Sequence, residues 1–372
     1  MKKISLLLVF VLMLSVFTVA CAPKAPATPP TPAAPPAEPA TPVTPPATPS
    51  EPTELILSTW GFNEELLRKN IFTPFEEANN VKIVLEVGNN ADRLNKIRLG
   101  SSNIDIVQIA EGFAIQAIAE GLFEEIDRSN IPNIENLYDV AKAPFGEKYG
   151  PAYTVGRYGI MYDSAQVDAP IESWGDLWDD SLDKQVLIPD ITTTAGPFMP
   201  FIVADLEGLD VKNDSDAIFA KIKDLNPNLV KIYTKSSEVV NMFSQGEVSV
   251  VAGQDFSFGQ VKEAVPTAVW LDPKEGAYAV VNTINVVKGS KNKELAEKFI
   301  DWIISEEVQK ANALDKVDSP ANKNVVLTEA EAAGLTYGAD VINKLTMVDW
   351  EYINTVNKEW IDKWNREISS GN

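Results

Sequence analysis

Thirteen of the chain's 25 prolines fall in one tract, residues 22–53, among alanines, threonines, one serine and three charges. Proline fixes φ and removes a backbone donor, and a segment of this composition has almost nothing to bury. The tract is expected to be an extended, polyproline-like spacer rather than part of a packed fold. At about 3.1 Å per residue it would reach roughly 90–100 Å. Any core must come from the rest, about 320 residues from Glu54 onward, a length that suits two lobes better than one.

What precedes the tract explains what it tethers. Met1, Lys2 and Lys3 give a positive start, and ISLLLVFVLMLSVF (4–17) is almost wholly apolar. That run has the length of a secretory h-region and is short for a bilayer span. Cys21, the chain's one cysteine, follows small residues, and Val19-Ala20-Cys21 resembles a bacterial lipobox with Thr18 where leucine is usual. The expectation is a lipoprotein signal peptide over 1–20, a lipidated Cys21, and a linker over 21–53. Two or three acyl chains hold firmly, because each buried methylene contributes about 0.8 kcal/mol. The alternative is a free cysteine in an ordinary N-terminal anchor. The expected location is extracytoplasmic, lipid-anchored to the cell membrane, and periplasmic in a cell with two membranes.

Beyond Cys21 there is no cysteine, which excludes disulfides and thiolate metal sites, and the chain has no histidine. That removes histidine-based triads, histidine zinc sites and the usual pH switch. No cofactor and no metal is implied. The formal charge is −21, or −23 once Lys2 and Lys3 are removed. Such a surface disfavours nucleic acid and anionic lipid.

Hydrophobic periodicity then orders the folded part. LILSTW (55–60) reads as a strand ending on an aromatic. A helix is expected over 64–79, with a possible kink at Pro74. A strand follows at 81–87, a short helix at 92–99, a strand at 104–110 and a helix from 113 to 120. This order predicts a mostly parallel sheet with helices on its faces. A second α/β unit follows: strands at 153–162, 185–189, 229–233 and 248–252, with helices at 197–206 and 238–245. A long apolar strand at 278–287 precedes helices at 293–305 and 307–314. A Trp-rich helical stretch closes the chain at 339–367.

Several stretches carry a resemblance: LSTWGF, IDIVQIAEGFAIQAIAEGLFEEID, YGPAYTVGRYGIMYD, SWGDLWDDSLDKQVLIPD and KGSKNKELAEKFIDWIISEEVQKANA. In this order the chain resembles an extracellular solute-binding protein of an ABC importer, in the spermidine/putrescine-binding branch. The resemblance implies a type II periplasmic-binding fold: two α/β lobes joined by crossing hinge strands, with a ligand cleft between them. The first crossing is expected near 153–159 and the return near 271–278. Lobe one would hold 54–154 plus roughly 273–345, lobe two 155–272, and the C-terminal helices, 346–372, would pack across both. The partners implied are a small solute, a transmembrane permease and the membrane through the N-terminal lipid, with the protein a monomer and no nucleic acid.

Strand ends supply the candidate ligand residues, because ligands of such sheets bind beyond the carboxyl ends of the strands. Trp60 and Phe62 offer apolar or cation–π faces. Glu111, Asp190 and Asp255 offer carboxylates, with Gln254 and Asn282 beside them. The polyamine branch places an aromatic-x-acid pair on the return strand, where this chain has Val280 and Asn282. Thr193 and Thr194 stand where a further acid is expected. Arg157 in the hinge strand and the Thr-Thr-Thr-Ala-Gly turn at 192–196 suit an anion instead. The solute is therefore read as a polyamine-like amine or an amine-containing zwitterion. A carboxylate or phosphonate anion remains an alternative. So do a surface carboxylate-based glycosidase, whose chemistry needs no histidine, and a sensor or adhesin.

Overall fold

The computed structural model describes residues 51–100 and 103–369. The signal peptide, Cys21 and most of the linker lie outside the described residues. Among these, nine strands form one sheet: β1 (Thr53–Thr59), β2 (Val81–Val87), β3 (Ile106–Ala110), β4 (Ala152–Asp163), β5 (Val186–Pro189), β6 (Leu229–Tyr233), β7 (Val250–Gln254), β8 (Ala268–Leu271) and β9 (Tyr278–Val286). The order is β2-β1-β3-β9-β4-β7-β5-β6, with β8 alongside β4.

Strand β4 explains the division of the sheet. All twelve of its residues are buried. Its first half pairs antiparallel with β9, from Ala152 to Tyr158. Its second half pairs with β7, from Tyr158 to Tyr162, and with β8. Tyr158 is in register with both Tyr278 and Gln254. So β4 carries the chain out of one half of the sheet and β9 brings it back. The parallel pairing expected of the first β-α-β-α-β-α unit is present. Pairs β1–β2, β1–β3, β5–β6 and β5–β7 are parallel, but every pair made by β4 or β9 is antiparallel. A chain that leaves one half and returns to it must run its two crossing strands in opposite directions.

Each half has its own core. Leu55, Leu57, Ile83, Ile106, Val281 and Phe299 pack together on one side. Ile160, Val186, Ile188, Phe198, Phe219 and Trp360 pack together on the other. The motif SWGDLW fastens the return crossing. Trp174 stacks on Tyr158 with ring centroids 5.3 Å apart, its indole donates to the Gly276 carbonyl at 2.9 Å, and the Ser173 hydroxyl donates to Glu275 at 2.6 Å.

Local differences from the expected elements have local causes. The helix expected over 64–79 is interrupted by a wide π-turn at Arg68–Phe72, just before Pro74, which has no N–H to continue an α-ladder. The C-terminal stretch splits into Ala339–Ile342 and Trp350–Glu367. Strand β8 and the helices Ser215–Lys223 and Phe258–Ala264 were not expected from sequence.

Candidate functional site

Strands β1, β2 and β3 run parallel, so their carboxyl ends meet at one edge. The carboxyl ends of β5 and β7 do the same in the other half. Four contacts join these edges. Phe62, just after β1, meets Phe256, just after β7, edge to face with centroids 5.4 Å apart, and beside them Gln260 donates to Asn63. Asn90, at the start of helix Asn90–Arg98, donates to the Thr194 hydroxyl at 3.0 Å. The Trp350 ring lies over Gly112, just after β3, and packs against Phe198 at 5.8 Å. The carboxyl ends of the strands in the two halves thus face one another and touch at these points.

Three buried or half-buried acids lie near these ends. Asp255 is 3% exposed and accepts from the Thr336 hydroxyl at 2.6 Å and the Ser319 hydroxyl at 3.0 Å. It lies so close to Gly156 that a Cβ there would come within 2.6 Å of its carboxylate, so glycine is needed in the hinge strand. Burial holds Asp255 above the usual carboxylate range, while Thr336, Arg157 and Ser319 pull it back. Asp318 keeps part of its surface open. The surrounding protein, and then the Asp255 charge, push it up to about 8. Glu111, the first residue after β3, is pushed up to about 7 by burial, against the pull of the nearby Trp350 indole. The desolvation that raises these groups marks places where a cation would be welcome.

Arg157 is already engaged. It forms an ion pair with Asp272, donates to the Leu335 carbonyl at 3.2 Å and sits 5.2 Å from the Trp270 ring centre. Its Nε is buried without a partner. The threonine turn is also mostly self-contained. The Asp190 side chain accepts from the Thr192 N–H at 3.0 Å, and its carbonyl accepts from the Thr193 hydroxyl at 2.8 Å. Thr194 alone of the three reaches out, to Asn90. Gly196 is fixed by packing, since a Cβ there would stand 2.0 Å from the Asp190 carbonyl oxygen. Asn282 is the one position of β9 that is not fully buried, and its side-chain oxygen has no hydrogen-bond partner. Gln254 ends β7, half-buried, one residue before Asp255.

The family model for bacterial extracellular solute-binding proteins matches residues 70–336. The chain belongs to this family. This solute-binding protein is 25% identical over 285 residues to the putrescine-binding periplasmic protein SpuD of Pseudomonas aeruginosa, covering 68% of this chain and 74% of that one. Among solved structures, an ABC transporter protein from Clostridium perfringens is 44% identical with a TM-score of 0.71, covering 84% of this chain and 99% of that one. The spermidine/putrescine substrate-binding protein PotD of Streptococcus pneumoniae is 21% identical and shares the fold, with a TM-score of 0.69 over 84% of this chain and 98% of that one. Solute-binding proteins of ABC importers work outside the cytoplasm, deliver a small solute to a permease, and are not enzymes. The glycosidase alternative therefore falls away. No helix among the described residues is long and apolar enough to cross a membrane.

Sequence reasoning passed over two residues of this solute-binding protein's cleft edge. Arg93 has no exposed surface, although it sits in a short amphipathic helix where an arginine is expected on the solvent face. It donates to the carbonyls of Gly88 at 2.9 Å and Ser58 at 3.3 Å, and lies 4.5 Å from the centre of the Trp60 ring. Burial pulls it down to about 10, so it stays charged. Trp350 belongs to the Trp-rich closing stretch, where packing is the ordinary role of a tryptophan. It does pack, but beside Glu111. No local signal in the sequence distinguishes either residue.

Proposed function

We propose that this protein captures a polyamine-like organic amine in the cleft between its two halves and delivers it to an ABC permease. The observation that carries the reading is the pair formed by Asp255, which follows β7 and is bonded by Thr336 and Ser319, and the neighbouring Asp318, both held above their ordinary range. An ammonium group placed there would relieve both the desolvation and the mutual repulsion. Glu111 offers a further carboxyl, and the aromatic rings of Trp60, Phe62 and Phe256 supply walls for methylenes. Asn282 stands where the polyamine branch has an acid, and its unpartnered oxygen suits an N–H donor. The putrescine-binding relative points the same way.

An anionic solute fits less well. The two terminal nitrogens of Arg157 are taken by Asp272 and the Leu335 carbonyl, leaving only its buried Nε unpaired; Arg93 is held by backbone carbonyls, the Thr192 and Thr193 hydroxyls donate within their own turn, and the Thr194 hydroxyl accepts from Asn90. A zwitterion would bring its amine to the same acids but would need another place for its carboxylate.

The rest of the reading belongs with this one. Cys21 carries lipid, residues 21–53 are the spacer, and the mature protein is a monomer. Residues 54–154 with roughly 273–345 form one lobe and 155–272 the other, with the C-terminal helices packed across them. Native mass spectrometry of the purified protein is the test. A retained small molecule whose mass fits an amine supports the proposal. A retained carboxylate, phosphonate or sugar would refute it.

A further inference from the structure

Asn90 has no obvious signature in the sequence. It follows Asn89, whose side chain caps the helix by accepting from the Asp92 N–H at 2.8 Å. Yet Asn90 is 6% exposed and uses both ends of its carboxamide. Its oxygen accepts from Arg93 at 3.0 Å and from the Ala110 N–H at 3.3 Å. Two donors aimed at one atom fix the orientation of the amide, because the flipped form would point N–H at N–H. The amide nitrogen must then face away from the strand ends, and the acceptor it meets is the Thr194 hydroxyl of the opposite half, at 3.0 Å.

The inner partners matter as much as the outer one. Arg93 lies against Trp60, and Ala110 immediately precedes Glu111. One side chain therefore links the opposite wall of the cleft to the two strand ends that carry Trp60 and Glu111. The neighbouring threonines do not compete for this role, since Thr192 and Thr193 bond back to Asp190.

We propose that Asn90 is a positioning residue that couples closure onto Thr194 to the ordering of the ligand-facing ends of β1 and β3. When the halves close, the Thr194 hydroxyl holds the amide, and the amide holds Arg93 under Trp60 and the backbone leading into Glu111. When they part, Asn90 loses its outer partner and both strand ends loosen. Release of solute is slowed by the same bond that marks closure. The inference rests on the amine reading only for the choice of probe.

Two readouts test it on the full chain. The first needs no ligand: amide hydrogen exchange at Ala110. Thr194→Val touches neither Ala110 nor Arg93, yet it is expected to speed exchange at Ala110, and Thr194→Ser to restore it. The second uses putrescine. Thr194→Val is expected to raise the dissociation rate by up to about tenfold with the association rate little changed, the effect of losing one half-buried hydrogen bond. Asn90→Ala combined with Thr194→Val should be no worse than Asn90→Ala alone, since both remove one coupling. Unchanged exchange at Ala110 in Thr194→Val, or additive losses in the double variant, would overturn the proposal. If wild-type protein ignores putrescine while the exchange result holds, the amine reading fails and the coupling stands.

Discussion

At the scale of single residues, the account depends on buried acids. Glu111 is the cleanest case, because its shift has one main cause. Between about pH 4.5 and 7 the unfolded chain has released this proton while the folded chain keeps it. Stability of the ligand-free protein therefore falls as pH rises through that window, by at most about 3 kcal/mol. Melting curves from pH 4.5 to 7.5 should show the decline, and Glu111→Gln should flatten it. A cationic solute reverses the sense: it favours the ionised carboxyls and expels protons on binding. Calorimetry of putrescine binding at pH 7 in two buffers of different ionisation heat should report proton release, and reduced release in Glu111→Gln. Asp318→Asn should weaken amine binding by about 10- to 100-fold, the range for a charge-assisted hydrogen bond lost from a shielded site. The positions of Trp60, Phe62, Glu111 and Asp255 were legible in the sequence, because each follows a strand at a change of hydrophobic period. Their partners were not. Arg157 and Asp272 are 115 positions apart in the chain, and Arg93 reads as a surface arginine until its burial is seen.

At the scale of elements, the turn after β5 shows how backbone geometry fixes side chains. Gly196 has the Asp190 carbonyl where a Cβ would go, and its N–H donates to the Thr193 hydroxyl at 3.1 Å. Gly196→Ala must move backbone, not a flexible side chain. A cost of about 2 kcal/mol or more is expected, read as a melting temperature lowered by several degrees. Displacement of Thr194 should weaken solute binding in the same variant. Strands with clear alternation or long apolar runs, such as β2 and β9, were legible within a residue or two. Strand β8 was not, because four residues after Pro266 leave too short a pattern to read. The break between the last two helices also escaped notice, since residues 343–349 continue the polar and apolar mixture of their neighbours.

At the scale of the whole molecule, closure is a balance of small terms. An aromatic edge contact and a few hydrogen bonds hold the rim, each contributing about 1 kcal/mol. Ordering the walls offsets much of that, so on the proposed reading the halves close part of the time without solute and a bound solute shifts them further towards closed. The two-half architecture was legible from the order of the elements and the family resemblance. The mixed sheet was not, because strand direction across a crossing leaves no mark on local periodicity. The most direct test of the central claim, that this cleft clamps an amine on buried acids, is titration calorimetry of putrescine and spermidine against the wild type and Asp255→Asn/Asp318→Asn. The account predicts saturable one-to-one binding of at least one of these amines to the wild type and its loss in the double variant. Tight binding of a dicarboxylate or a sugar phosphate instead, unaffected by those two substitutions, would contradict it.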